Sequence, residues 1–186
     1  MEKELNSEEY ERRILSTKKT IEAVVLGELP AIINCNGAPY IKFLLFAPIL
    51  EFLGACLDNE NFTKEGLSEI RFNKGMELLP DRYNGFRNAG SDHYMYEGFR
   101  CNMVHRLVPH GFTFTTRKEA LEDKNVHLKE DVFNKGKIVL VLEDFAEDIQ
   151  KAAKKLLNMY DQGKAPKAKG DEPMIKVTGK KPYNIN

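Results

Sequence analysis

The stretch "GFRCNMVHRLVPHG", residues 98–111, places Arg100 and His105 five positions apart on what the pattern predicts as one helix. Around them stand Tyr94, Met95, Tyr96, Phe99, Cys101, Met103, Val104 and Leu107, so the helix has almost no polar face. At about 100° per residue the apolar side chains fall at nearly every angle. Such a helix must be covered on both sides, by its own bundle or by a second subunit, with Met103 and Leu107 expected on the outer seam. An ideal helix separates Arg100 from His105 by about 140°, so one copy does not aim both at one substrate. A two-fold dimer through residues 92–107 would bring two copies of each into one cleft.

The neighbouring segments predict a helical bundle. Residues 7–26 read as an amphipathic helix capped by Ser7, with Tyr10, Ile14, Ile21, Val24 and Val25 on one stripe, stopped at Gly27 and Pro30. "PAIINCNG" reads as a connector. Residues 38–57 are apolar nearly all round but carry Lys42, Pro48 and Glu51, which fits a buried core helix better than a membrane span. A third helix is expected over 63–79, weakened by Gly66 and Gly75, and a polar loop over 81–92. Ser91 or Asp92 would cap the fourth helix, which Pro109 ends. "FTFTT" at 112–116 and "KIVLVL" at 137–142 read as strands, with "NVHLKE" at 125–130 as a possible third. A last helix over 144–161 carries Phe145, Ile149, Ala152, Ala153, Leu156 and Leu157 on one face. The reading is a mainly α chain with a small β-element before the last helix, a single domain over 1–163 and a basic tail over 164–186.

Composition excludes some partners. The 186 residues hold 28 basic and 28 acidic side chains, 42% apolar residues and no tryptophan. Residues 164–186 contain six lysines against Asp171 and Glu172, which leaves the body with a net charge of −4. That body does not suit broad coating of nucleic acid, whose affinity comes from many phosphate contacts. A concentrated phosphate site remains compatible. Cys35, Cys56 and Cys101 have no C-x-x-C spacing and read as reduced, buried thiols of a cytoplasmic protein; "MEKELNSEEYERR" has no signal-peptide pattern. His93, His105, His110 and His127 include no pair at metal-ligand spacing, so no metal and no other cofactor is expected.

The pattern Arg-x-x-x-x-His, here Arg100-Cys101-Asn102-Met103-Val104-His105, resembles the signature of the HEPN superfamily. The aromatic lead-in "YMYEGFR", the preceding buried helix "FLLFAPILEFLGA" and the "LLP…YN" helix end are similar to prokaryotic members, over roughly residues 8–160. The resemblance implies a helical bundle that dimerises through its motif helices. It also implies either a metal-independent endoribonuclease, often a toxin or antiviral factor that meets an antitoxin-like protein, or a catalytically silent interaction or nucleotide-binding module. Arg100 and His105 would be the catalytic pair, with Asn102 and Glu97 in support. The position after the arginine, often polar in active members, is Cys101.

The chemistry fits those residue types. Cleaving RNA without metal needs a base for the 2′-hydroxyl proton, an acid for the leaving 5′-oxygen and a cation for the phosphoryl charge. Histidine titrates near neutrality and arginine grips phosphate as a fork. In the structural alternative Arg100 pairs with a carboxylate such as Glu97, one turn earlier, and His105 is a satisfied core histidine.

Overall fold

A computed structural model describes residues 16–165, together with Glu8; Ser7, Tyr10, Ile14 and residues 166–186 of the basic tail lie outside the described residues. The chain is mainly helical. Helix α1 covers 16–34, wound as a π-helix over Ile21–Glu28 and as an α-helix over Leu29–Asn34. Helix α2 covers 39–55, helix α3 is Ser68–Met76, and helix α4 covers 95–106. Strand β1 (Phe112–Thr115), helix α5 (Arg117–Glu122), strand β2 (Ile138–Val141) and helix α6 (Leu142–Asp161) follow. Among the described residues no helix is long and apolar enough to cross a membrane.

The close crossing of α2 and α3 sets the frame. A β-carbon on Gly54 would lie 1.7 Å from the Arg71 carbonyl oxygen, and one on Gly75 would lie 2.0 Å from that of Leu50. The two backbones therefore touch, and only glycine fits at either point. Gly75, which reads as a weak spot by helix propensity, is where α3 docks. Arg71, buried at the same crossing, donates Nε–H to Asp58 Oδ2 at 2.9 Å and Nη1–H to the Phe62 carbonyl at 2.8 Å. The loop after α2 is thus wrapped around one guanidinium. That wrapping is why α3 starts at Ser68 and not at Thr63.

Three further boundaries differ from expectation for local reasons. Gly27 and Pro30 do not stop α1, and 29–34 is helix, not connector. The Leu29 N–H reaches back to the Val24 carbonyl, so the helix enters the proline from a widened turn, where the missing N–H of Pro30 costs little. The buried Lys42 then donates Nζ–H to the Ile33 carbonyl at 3.0 Å, satisfying the end of α1. Residues 125–130 form no strand. Leu128 adopts a left-handed φ of 60°, and the segment keeps to β2 through a Glu130–Ile138 bridge and the Leu128 N–H bond to the Val139 carbonyl. The 81–92 loop contains a 3₁₀ helix over Asp81–Phe86.

β1 and β2 pair in parallel, Phe112 with Ile138 through Thr115 with Val141. A parallel pair needs a crossover, which α5 supplies. Thr116 and Glu119 close a capping box at its start, a "TRKE" signal that is legible in the sequence. β2 runs straight into α6, whose buried face holds Phe145, Ile149, Ala152, Ala153 and Leu156 as expected. Phe99 of α4 and Phe46 of α2 both meet Phe145 edge-on, with centroids 5.8 and 4.9 Å away. That aromatic contact is the centre of the core.

Replacing Gly75 by Ala should destabilise the protein by on the order of 3 kcal/mol or prevent folding, because backbone must move to admit the methyl group. Urea denaturation measures it; a loss below about 1 kcal/mol, the cost of an ordinary exposed helix substitution, would contradict the contact.

Candidate functional site

Helix α4 is not a regular α-helix where it carries Arg100. Residues Tyr96–Cys101 are π-wound, and the Asn102 N–H and Nδ2–H both reach the Glu97 carbonyl, the side-chain bond at 2.7 Å. The chain after Pro109 folds back so that the His110 N–H donates to the Gly98 carbonyl at 2.8 Å. A β-carbon on Gly98 would meet the His110 carbonyl oxygen at 2.5 Å. The return of the chain to β1 thus takes up a helix carbonyl and goes with the wide turn. Neither Ser91 nor Asp92 caps this helix; the Ser91 hydroxyl is buried with no hydrogen-bond partner. Leu107, at a left-handed φ of 56°, ends it.

Arg100 is half-buried in a polar cluster built by three helices. Its Nε–H donates to Glu51 Oε1 at 2.5 Å, and Ser68 Oγ–H donates to Glu51 Oε2 at 2.6 Å. Its guanidinium carbon lies 5.5 Å from the centre of the Tyr96 ring. Burial alone would lower the Arg100 pKa, but the Glu51 hydrogen bond and charge outweigh it and hold the group above its ordinary value. The two terminal nitrogens donate to no oxygen among the described residues. Beside the cluster Tyr94 O–H donates to Glu69 Oε1 and accepts from Asn73 Nδ2, each at 2.7 Å. Burial, with the Glu69 carboxylate, pushes the Tyr94 pKa up to about 12.

His105 sits on the last turn of the same helix, exposed, and forms no hydrogen bond among the described residues. Its apolar neighbours in sequence are also uncovered: Val104, Leu107 and Val108 are 46%, 52% and 62% exposed. The Tyr40 O–H donates to the Leu107 carbonyl at 2.6 Å, which adds Tyr40 and the exposed Ile41 to the same surface.

These positions correct several expectations. Arg100 does pair with a carboxylate, as the structural alternative has it, but with Glu51 rather than the exposed Glu97, and His105 is not a core residue. Asn102 supports the helix through the Glu97 carbonyl; no hydrogen bond links Asn102 or Glu97 to either motif side chain. Met103 is fully buried in the protein's own core, as are Met95 and Phe99, so the apolar circumference is mostly covered without a second subunit. Only the Val104–Val108 lip is left. Cys35 is exposed rather than buried; Cys56 is buried and Cys101 intermediate. Among the described residues no group of three or more His, Cys, Asp or Glu side chains is placed to hold a metal ion.

A second cluster, absent from the sequence reading, lies under α6. Asp148 is fully buried and accepts from Tyr83 Oη–H at 2.9 Å and from Lys151 Nζ at 3.0 Å, and it forms an ion pair with Arg82. His127 accepts the Val141 N–H on Nδ1 at 3.0 Å, which assigns its proton to Nε2, 2.7 Å from Tyr83 Oη. The ring is therefore held neutral, and every polar atom of the chain His127–Tyr83–Asp148 has a partner. A carboxylate on the stripe of Phe145, Ile149 and Ala152 was the signal that could have found it. Arg82 and Lys151 shield Asp148 from solvent contact, so this network ties the β-element to α6 and offers no open face to a substrate.

Burial, with Arg82 nearby, lowers the His127 pKa to about 4 from its ordinary 6.5. Between those values the unfolded chain binds a proton that the folded one does not, so stability falls as pH falls. The loss between pH 7 and pH 5 should be about 2 kcal/mol. Urea denaturation at both pH values reads it, and an unchanged slope in His127→Gln would contradict the assignment. No protein-family model, curated protein or solved structure matches this chain.

Proposed function

We propose that the chain is a HEPN-type, metal-independent endoribonuclease that works as a homodimer. The observation that carries this reading is that His105 is exposed and uncommitted on the helix that also carries Arg100. Arg100 meets Glu51 through Nε, and its terminal nitrogens donate to no oxygen among the described residues, which leaves them to a phosphate. A core histidine and a fully engaged arginine, the two marks of a purely structural pair, are both missing.

The proposed step balances without a metal. The scissile phosphate lies against the terminal nitrogens of Arg100. One His105 takes the 2′-hydroxyl proton as the 2′-oxygen attacks phosphorus, and the partner's His105 gives a proton to the 5′-oxygen as the P–O5′ bond breaks. The products are a 2′,3′-cyclic phosphate and a 5′-hydroxyl. The dimer forms through Val104, Leu107 and Val108, an apolar lip that surrounds the histidine and has no cover in one copy. An antitoxin-like partner would have to bury this same lip.

One observation favours a second reading. Glu51, which accepts from Ser68 as well as from Arg100, ties α4 to α2 and α3, as a silent interaction or nucleotide-binding module would keep it. The two readings separate by RNA cleavage in EDTA. His105→Ala should lower the rate on the order of 10²-fold or more with an unchanged melting temperature, since an exposed residue gives up no core contact. Arg100→Ala should lower the rate and also cost on the order of 1 kcal/mol of stability through the lost Glu51 bond. Leu107→Glu should turn a sedimenting dimer into monomers. A wild type that is monomeric at micromolar concentration and cuts no RNA leaves the silent-module reading.

A further inference from the structure

An apolar groove of about 330 Å³ lies between α1 and α2, away from the Arg100 cluster. Its walls include Val24, Leu29 and Ile32 from α1 and Leu45, Ile49 and Phe52 from α2. Thr17 and Phe62 stand at one end and Glu28 on the rim towards the other. Glu28 is exposed and forms no ion pair among the described residues. Part of the α1 wall is the π-wound Ile21–Glu28 segment, so the helix is widened along the groove.

The end of α6 is fixed at the Thr17 end. Asp161 pairs with Lys18 at the start of α1, and Tyr160 O–H donates to the Cys56 carbonyl at the end of α2 at 3.3 Å. Lys164 and Ala165 then bond back to the Met159 carbonyl at 2.8 and 3.2 Å. The chain therefore leaves the described residues between the start of α1 and the end of α2, which is the mouth of the groove. Beyond it stand 21 residues, "PKAKGDEPMIKVTGKKPYNIN". Their one dense apolar run is Met174-Ile175-Lys176-Val177.

We infer that the segment Met174–Val177 of the same chain docks in the groove between α1 and α2. The reach suffices: ten residues from Ala165 to Ile175 span up to about 33 Å, while Thr17 to Glu28 along a helix covers only about 16 Å. In an extended chain Ile175 and Val177 share one face, towards the apolar walls, and Lys176 takes the other, towards the rim that carries Glu28. The net positive charge of residues 164–186 complements that acid and the exposed Glu22 of the same helix. The inference is independent of the ribonuclease reading, because none of the groove residues belongs to the Arg100 site.

The test uses the full chain with p-benzoylphenylalanine in place of Ile175, irradiated and mapped by peptide mass spectrometry. Cross-links within one chain to 17–32 or 45–62 are expected. Cross-links between two chains would make the occupant a second copy and overturn the assignment, as would cross-links elsewhere or none. In parallel, full-length Ile175→Asp and Val177→Asp should bind the apolar dye ANS several-fold more strongly than wild type. An Ile14→Asp variant that uncovers dye binding while both tail variants leave it at the wild-type level would give the groove to the N-terminal segment, and would also overturn it.

Discussion

The backbone contact of α2 with α3 is the constraint on which the other contacts depend. Two glycines, Gly54 and Gly75, remove the side chains that would keep the helices a normal distance apart. The close crossing brings the start of α3 against the last turns of α2, so Ser68 reaches Glu51. It also buries Arg71 against Asp58 and the carbonyls of the following loop. Tyr96 of α4 then rests edge-on against Phe72 of α3, with centroids 5.7 Å apart, and this sets Arg100 opposite Glu51. A carboxylate that interrupts an apolar helix in the sequence becomes the group that aims the motif arginine.

The protein deals with its two motif residues in opposite ways. Arg100 is oriented by one carboxylate and one aromatic ring, which limits its rotamers while leaving its terminal nitrogens outward. His105 has no such support in one copy, and its surroundings are an uncovered apolar lip. Preorganisation of the cation is thus intramolecular, whereas the histidine has no orienting hydrogen bond among the described residues. That asymmetry is what makes a second subunit chemically meaningful in the proposed reaction and not merely a way of hiding Leu107 and Val108.

Much of the architecture was legible in the sequence because it rests on periodicity. The stripe from Phe145 to Leu156, the β-branched run at 138–141 and the apolar segment at 38–57 all mark elements found in the structure. What was not legible rests on tertiary contacts. The π-winding at Tyr96–Cys101 accompanies a carbonyl taken by His110, a residue twelve positions after Gly98, and no local propensity encodes it. The survival of α1 past Pro30 has the same character, since a widened turn absorbs the proline. At the site, the motif spacing pointed to Arg100 and His105 but not to Glu51, because a partner from another helix has no fixed spacing. Asp148 and the Thr116–Glu119 box do carry local signals, an acid on an apolar stripe and a capping pattern.

The central claim is that Arg100 and His105 form one phosphate-binding surface whose arginine is already oriented. NMR titration of the protein in EDTA with an RNA oligonucleotide 2′-O-methylated at every position, which lacks the attacking 2′-hydroxyl and is not cut by this step, tests it directly. The account predicts saturable shifts of the His105 ring and of the Arg100 side-chain resonances together, with the Tyr94 and His127 rings unmoved. Shifts that spare both motif residues, or a His105 ring indifferent to the oligonucleotide at saturation, would contradict it.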